Sequence, residues 1–446
     1  MSNELASSSS DKLQELVQDL LKEARAQGAT AAEAGVSMET GLATTVRMGD
    51  VETIEHHRDK GLAITVYVGN RKGSASTSDF SRNAVRDTVK AALAIASVTA
   101  EDPYSGLADA DLMARDIPDL DLCYPWDVTP EQAIALALEC ESAARDFDKR
   151  ITNSEGASVS TFQGFRVYGN SHGFVGAYPS SHHSVSCSVI SQEDEAMQRD
   201  YWYSATRDPS ELEDAAYIGR QAAERALRRL NGRRLPTGSA PVIFAAEVAS
   251  SLLSHFIGAI SGGSLYRKTS FLVDSLGKQV FPSHIRIDER PHLKKGLGSA
   301  PFDNEGVATR AHDIVRDGVL QSYVLDSYAA RKLGMQTTGN AGGVHNLFIN
   351  TGNKDLTALL KTMDKGLLVA ELMGQGVNRV TGDYSRGASG FWVESGEIQY
   401  PVEEITIAGN LRDMLMRLLE IGNDVDTRRN TRTGSIFIEQ MTIAGT

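Results

Sequence analysis

Between Glu371 and Asn410 the chain carries seven glycines, Gly374, Gly376, Gly382, Gly387, Gly390, Gly396 and Gly409, and then alternates apolar and polar residues from Ile398 to Ile407. Glycine at this density marks places where the backbone takes positive φ or comes close to another chain, and period-two alternation is the pattern of half-buried strands. A β wall punctuated by glycine is the expected result. Such a wall is either plain sheet packing with tight turns or the lining of a cleft.

At 446 residues the chain is longer than one hydrophobic core usually serves, so two domains are expected, divided in the aperiodic stretch 231–241 into 1–235 and 236–446. The first half reads as an amphipathic helix (Leu13, Leu16, Val17, Leu20, Leu21, Ala24) after a serine-rich start expected to fray, strands over 34–47 and 61–68, and a helix over 81–98. An acidic, irregular connection over 101–128 reads as surface, Thr129 and Pro130 open a third helix, and an antiparallel meander and a helix over 210–230 follow. The second half opens on a strand over 242–245 and a helix over 246–260, and includes a helix over 356–363. It closes on a helix capped by Asn410, with Leu411, Met414, Leu415, Leu418 and Leu419 inward, and a strand over 435–443. The fold class is therefore α+β, with antiparallel and mixed sheets and packing helices.

A net charge of −13 opposes nucleic-acid or anionic-membrane partners, and no apolar run approaches the roughly 20 residues that span a bilayer. The N-terminus shows no secretory signal, so the chain is expected in the cytoplasm. Cys123, Cys140 and Cys187 lack metal-ligand spacing and read as reduced, structural residues.

Gly169-Asn170-Ser171-His172-Gly173 formally matches the G-x-S-x-G nucleophile elbow, but an alternating strand follows where the elbow needs a helix, so it reads as a hairpin turn. None of the ten histidines precedes a glutamate, so the helical zinc-hydrolase signature is absent. His182 and His183, being adjacent, point to opposite faces of a strand, and His56 and His57 share that geometry. This leaves Asp383, Ser385 and Arg386 in the glycine-rich stretch, and Tyr266 and Arg267 behind Gly262 and Gly263, as polar groups able to orient a peptide or simply to fix a turn.

MGQGV at 373–377, GDYSRGASGFWVE at 382–394 and GEIQYPVEEITIAGN at 396–410 resemble the C-terminal signature of the TldD/PmbA family, on its PmbA (TldE) side. The resemblance extends to GLAITVYVGNRKGSAST at 61–77, DKRITNSEG at 148–156, APVIFAAEVA at 240–249, GGSLYRKTSFLVDSLGKQV at 262–280 and NAGGVHN at 340–346. It implies a subunit that pairs with a TldD-type zinc metallopeptidase acting on small or unfolded peptides, or that forms a homodimer without that partner. TldD-type members carry HExxxH on a helix early in the second domain; the matching stretch here is His255-Phe256-Ile257-Gly258-Ala259-Ile260, with Phe256 and Ile260 in place of the glutamate and second histidine. The expectations are no catalytic or metal residue in this chain, zinc in the partner, and substrate contacts at Asp383, Ser385, Gly387, Gly390, Tyr266 and Arg267. An independent peptidase with an atypical metal site, or a regulatory module of the gyrase-modulator type, stands as the alternative.

Overall fold

The computed structural model describes residues 2–445. Helix α1 (Ser2–Ala26) includes the serine-rich start and buries Leu13, Val17, Leu20 and Ala24. Strands β1 (Ala31–Arg47), β2 (Asp50–Val68) and β3 (Arg71–Thr77) form consecutive hairpins, followed by α2 (Arg82–Val98) and α3 (Pro130–Arg145). Thr129 caps α3 in a reciprocal capping box with Gln132, and Pro130 occupies the first turn, where its missing N–H costs nothing. The meander β4 (Ile151–Asn170), β5 (Val175–Glu193) and β6 (Ala196–Thr206) then leads to α4 (Ala215–Arg228).

These six strands make one sheet of order β3-β2-β1-β4-β5-β6, antiparallel throughout. Its helices divide one face between them. Val17, Leu20, Val89 and Ala92 of α1 and α2 pack on Ala34, Val36, Ile64 and Val167, while Ala137, Cys140, Ile218 and Ala222 of α3 and α4 pack on Val46, Val159, Val185 and Val189. The turn at Asn170–Gly173 joins β4 to β5, so the Ser171 sequence is a hairpin, as its Asn and Gly require.

The second half contributes β7 (Gly238–Phe244), α5 (Ala246–Ala259), α6 (Gly262–Tyr266), β8 (Ile287–Glu289), β9 (His312–Arg316), β10 (Val319–Leu320), α7 (Ser327–Lys332) and β11 (Leu347–Ile349). It continues with α8 (Leu356–Met363), β12 (Gly366–Met373), β13 (Asp383–Glu394), β14 (Glu397–Asn410), α9 (Leu411–Met416), β15 (Leu418–Ile421), β16 (Thr431–Arg432) and β17 (Ile436–Ala444). One sheet runs β14-β13-β12-β7-β17-β15, and because β14 also pairs with β17 (Thr406 opposite Ala444), five of its strands close into a ring. A smaller sheet, β10-β9-β8-β11-β16, lies beside it.

Two expectations change here. The helix after Asn410 ends at Met416, and Leu418–Ile421 is a strand on β17, so Leu418 is buried while Leu419 is exposed. The acidic connection over 101–128 is a docked strap rather than free surface. Ala114 N donates to Gly306 O at 3.0 Å, Ala308 N donates to Leu112 O at 3.0 Å, and Leu107, Met113, Leu120 and Leu122 are buried.

Candidate functional site

Helix α5 follows β7 directly, and its Leu252, Leu253, Phe256, Ala259 and Ile260 are buried in the main core, so its remaining face is fixed in direction. That face carries His255 and, one turn on, Gly258. Opposite lies β13, whose pleat sends Tyr384 inward, 1% exposed, and leaves Asp383 and Ser385 exposed on the other side. The rings of His255 and Tyr384 meet edge to face, centroids 6.0 Å apart. Arg379 lies against α5 at Gly258, where an added Cβ would stand 3.0 Å from its Nη1. Three polar atoms here are buried without a hydrogen-bond partner: His255 Nε2, the Tyr384 hydroxyl and Arg386 Nε. Burial, then the charges of Arg386 and Arg379, lower the His255 pKa below the usual imidazole value, so the ring is neutral at pH 7. Burial pushes the Tyr384 hydroxyl up to about 12 against the pull of Arg386.

These residues do not suit a divalent metal ion. His255 offers one neutral nitrogen, the neighbouring charges are two guanidiniums, and catalytic zinc needs three protein ligands. Phe256, where a general base would stand, is fully buried and packs edge-on against Phe281 at 5.0 Å, and Ile260 is fully buried as well. Among the described residues no group of three or more His, Cys, Asp or Glu is arranged to hold a metal.

Of the substrate contacts expected from the sequence, Asp383 closes a turn, accepting from Thr381 Oγ1 at 2.6 Å and Asn410 Nδ2 at 3.2 Å. Ser385 uses its backbone N–H to hold Gly376 O at 2.7 Å. Gly387 and Gly390 lie within β13 and neither has positive φ; Gly390 is required by close approach, since a Cβ there would stand 1.9 Å from Leu368 O. Tyr266 and Arg267 end α6, with Arg267 Nη1 donating to the Tyr266 hydroxyl at 2.7 Å and Tyr266 packed edge-on against Tyr328 at 5.8 Å. Asp383, Ser385, Gly387 and Gly390 thus lie along β13, and Tyr266 and Arg267 at the end of α6. Strand β13 is not a free edge: β12 and β14 flank it, and Val377 bridges to Tyr384. Before its Thr406 pairing with β17, β14 is met by Arg233, whose N–H donates to Pro401 O at 3.0 Å and whose carbonyl accepts from Glu403 N at 3.2 Å.

Sequence reasoning missed a second buried cluster. Glu289, 1% exposed, accepts from Asn340 Nδ2 at 2.9 Å and from His345 Nδ1 at 2.7 Å, with His312 at 3.7 Å. Burial works to raise its carboxyl, but the His345 and Asn340 donors outweigh it and hold the group below the usual carboxylate range. This cluster fixes the 340–346 loop against β8. The NAGGVHN string signalled it, but its acidic partner lies 51 residues upstream of Asn340, beyond any local pattern.

Comparison with known proteins fits this architecture. Models described as PmbA/TldA metallopeptidase domain 1, central domain and C-terminal domain match residues 32–96, 123–230 and 237–445. Metalloprotease PmbA of Escherichia coli O157:H7 is 53% identical over 93% of this chain and 92% of its own. The Haemophilus influenzae PmbA homolog is 50% identical over 100% and 98%, whereas a TldD homolog of the same organism is 24% identical over 83% and 80%. Among solved structures, a Bacteroides thetaiotaomicron protein named as a candidate modulator of DNA gyrase superposes with a TM-score of 0.93 at 30% identity, over 98% of this chain and 99% of that one. TldE from Thermococcus kodakarensis shares the fold, with a TM-score of 0.84 at 20% identity over 96% and 100%. The chain belongs to the PmbA/TldD metallopeptidase family, and within it to the PmbA (TldE) type.

Proposed function

We propose that this chain is the non-catalytic, scaffold and substrate-channel subunit of a TldD/TldE-type zinc metallopeptidase that processes small or unfolded peptides in the cytoplasm, with 1–235 and 236–446 as its two domains. The observation that carries this reading is the environment of α5. Where TldD-type members place the metal motif, this helix has one histidine, two fully buried apolar side chains and two facing guanidiniums. Such a site repels a cation and supplies no general base, so hydrolysis falls to a partner whose helix retains both. Curated relatives named as TldD homologs are distinct from, yet related to, this chain along 83% of its length.

The partner supplies metal and base in this reading, while the present chain completes the channel wall and fixes the assembly. Co-expression with a TldD-type chain followed by size-exclusion chromatography tests it. A joint peak at about twice the 48.1 kDa of this chain or more is expected, the sum of two chains of two-domain size. Separate elution at micromolar concentration contradicts it.

A further inference from the structure

The same residues that do not suit a cation form a site for an anion. In its Nε2–H tautomer the neutral His255 is a donor, the Tyr384 hydroxyl is a donor, and both atoms are buried without a well-placed partner, the Arg386 guanidinium being the charge that acts on the hydroxyl. A buried polar atom without a partner is costly, so three converging on one spot between α5 and β13 are an arrangement for something that arrives later. Arg386, two residues along the pleat from Tyr384, and Arg379, held by the Phe271 N to Arg379 O bond at 2.9 Å, bring two positive charges. Among the described residues neither guanidinium is in an ion pair, whereas Arg225, Arg229 and Arg428, each with a side chain 11–14% exposed, are matched to carboxylates. Arg379 is exposed and Arg386 half-buried, so the guanidiniums meet solvent, while His255 Nε2, the Tyr384 hydroxyl and Arg386 Nε are closed to it.

We propose that His255, Tyr384, Arg386 and Arg379 form a carboxylate-binding site for peptides. A guanidinium presents Nε and Nη as a planar fork matched to the two oxygens of a carboxylate, and the imidazole and phenol can complete the remaining lone pairs. The choice of a peptide as the carrier rests on the proposed function; the anion site itself does not. The carboxylate comes either from a peptide C-terminus or from an Asp or Glu side chain. In either case the helix position that serves a metal in TldD-type members would here anchor the acidic end of a peptide.

Calorimetric titration of the full chain at low salt separates these sources with three probes: N-acetyl-trialanine with a free C-terminus, its carboxamide, and N-acetyl-Ala-Glu-Ala carboxamide. At least one carboxylate probe is expected to bind about tenfold or more tighter than the neutral carboxamide, the size of one hydrogen bond to a charged group. Whichever carboxylate wins identifies the source. Arg386→Gln and Arg379→Gln should each remove that preference, and Arg379 is exposed, so its variant keeps the test valid if the Arg386 variant fails to fold. Equal affinity for all three probes, no binding of any, or carboxylate preference undiminished in a folded variant overturns the site. Because the titration needs no partner, its failure leaves co-elution with a TldD-type chain untouched, and the reverse also holds.

Discussion

Tyr384 stabilises the fold through its ring, packed on His255 and the core, and not through its hydroxyl, which is buried and unpartnered. Tyr384→Phe is therefore expected to leave stability unchanged or to raise it by up to about 1–3 kcal/mol, the cost of an unsatisfied buried polar group. Urea denaturation measures this, and a loss greater than about 1 kcal/mol would show that the hydroxyl is bonded in the folded chain. Glu305 makes the opposite kind of case. It accepts from Ser327 N at 3.0 Å, and burial, reinforced by Asp303 and Asp326 against the Ser327 bonds, raises its pKa from 4.5 to about 7. The folded chain thus holds this proton more tightly than the unfolded chain, so the contribution of Glu305 is most favourable below 4.5 and is lost as pH rises towards 7. The loss is on the order of 3 kcal/mol. Glu305→Gln keeps an acceptor for Ser327 and should remove that part of the slope between these pH values; an unchanged slope means Glu305 is solvated. The sequence showed Asp383, Ser385 and Arg386 as the polar groups of the glycine-rich stretch, but which belong together is a matter of pleat. Parity with buried Ala388 puts Tyr384 and Arg386 on one face and Asp383 and Ser385 on the other.

At the scale of elements, β12 and β13 test the reading of glycine. Gly390 sits where the β12 backbone passes, at a register shift between Val369 and Glu371, whereas a Cβ at Gly387 meets Met373 Cβ at 3.3 Å, a flexible side chain. Gly390→Ala should cost about 2–3 kcal/mol through overpacking and Gly387→Ala less than about 1 kcal/mol, measured by chemical denaturation. Equal costs would mean that the two strands can spread. The sequence correctly indicated the helices with strong period and the β4–β6 meander. It understated the β1–β2 hairpin, because residues 50–60 are mostly polar and exposed, Val51 and Ile54 included among the exposed, yet held by the ladder, with Leu42 opposite His56 and Thr40 opposite Arg58. Backbone pairing needs no apolar side chain, so hydropathy could not signal that extension. It overextended α9, because Leu418 and Ile421 fit a helical stripe as well as a strand face until β17 is present to pair with them.

In the whole molecule, the two sheet systems are joined by charge as well as by packing. Arg229, 11% exposed, reaches Asp200 at 3.2 Å within its own half, and in the other half Ser389 Oγ at 2.9 Å and the Glu371 carboxylate. Arg229→Met leaves Asp200 with Arg225 alone, at 3.1 Å, and takes the guanidinium from Glu371, whose side chain is 34% exposed, so it is expected to cost about 1–3 kcal/mol, the loss of hydrogen bonds to charged groups. A cost below about 1 kcal/mol would make these contacts incidental. Such long-range pairings, like the docking of the 101–128 strap on Gly306 and Ala308, have no local signature. That is why the strap reads as surface from its acidic composition.

The central claim, that this chain is the metal-free half of a metallopeptidase, is tested most directly by zinc analysis of the purified chain and of its co-purified complex with a TldD-type subunit, alongside peptide cleavage with and without chelator. The account predicts zinc and chelator-sensitive cleavage in the complex and neither in the isolated chain, even after Phe256→Glu and Ile260→His supply the missing side chains, since two histidines beside two guanidiniums hold zinc weakly. Near-stoichiometric zinc in the isolated parental chain, or chelator-sensitive cleavage by it without a partner, would contradict the account.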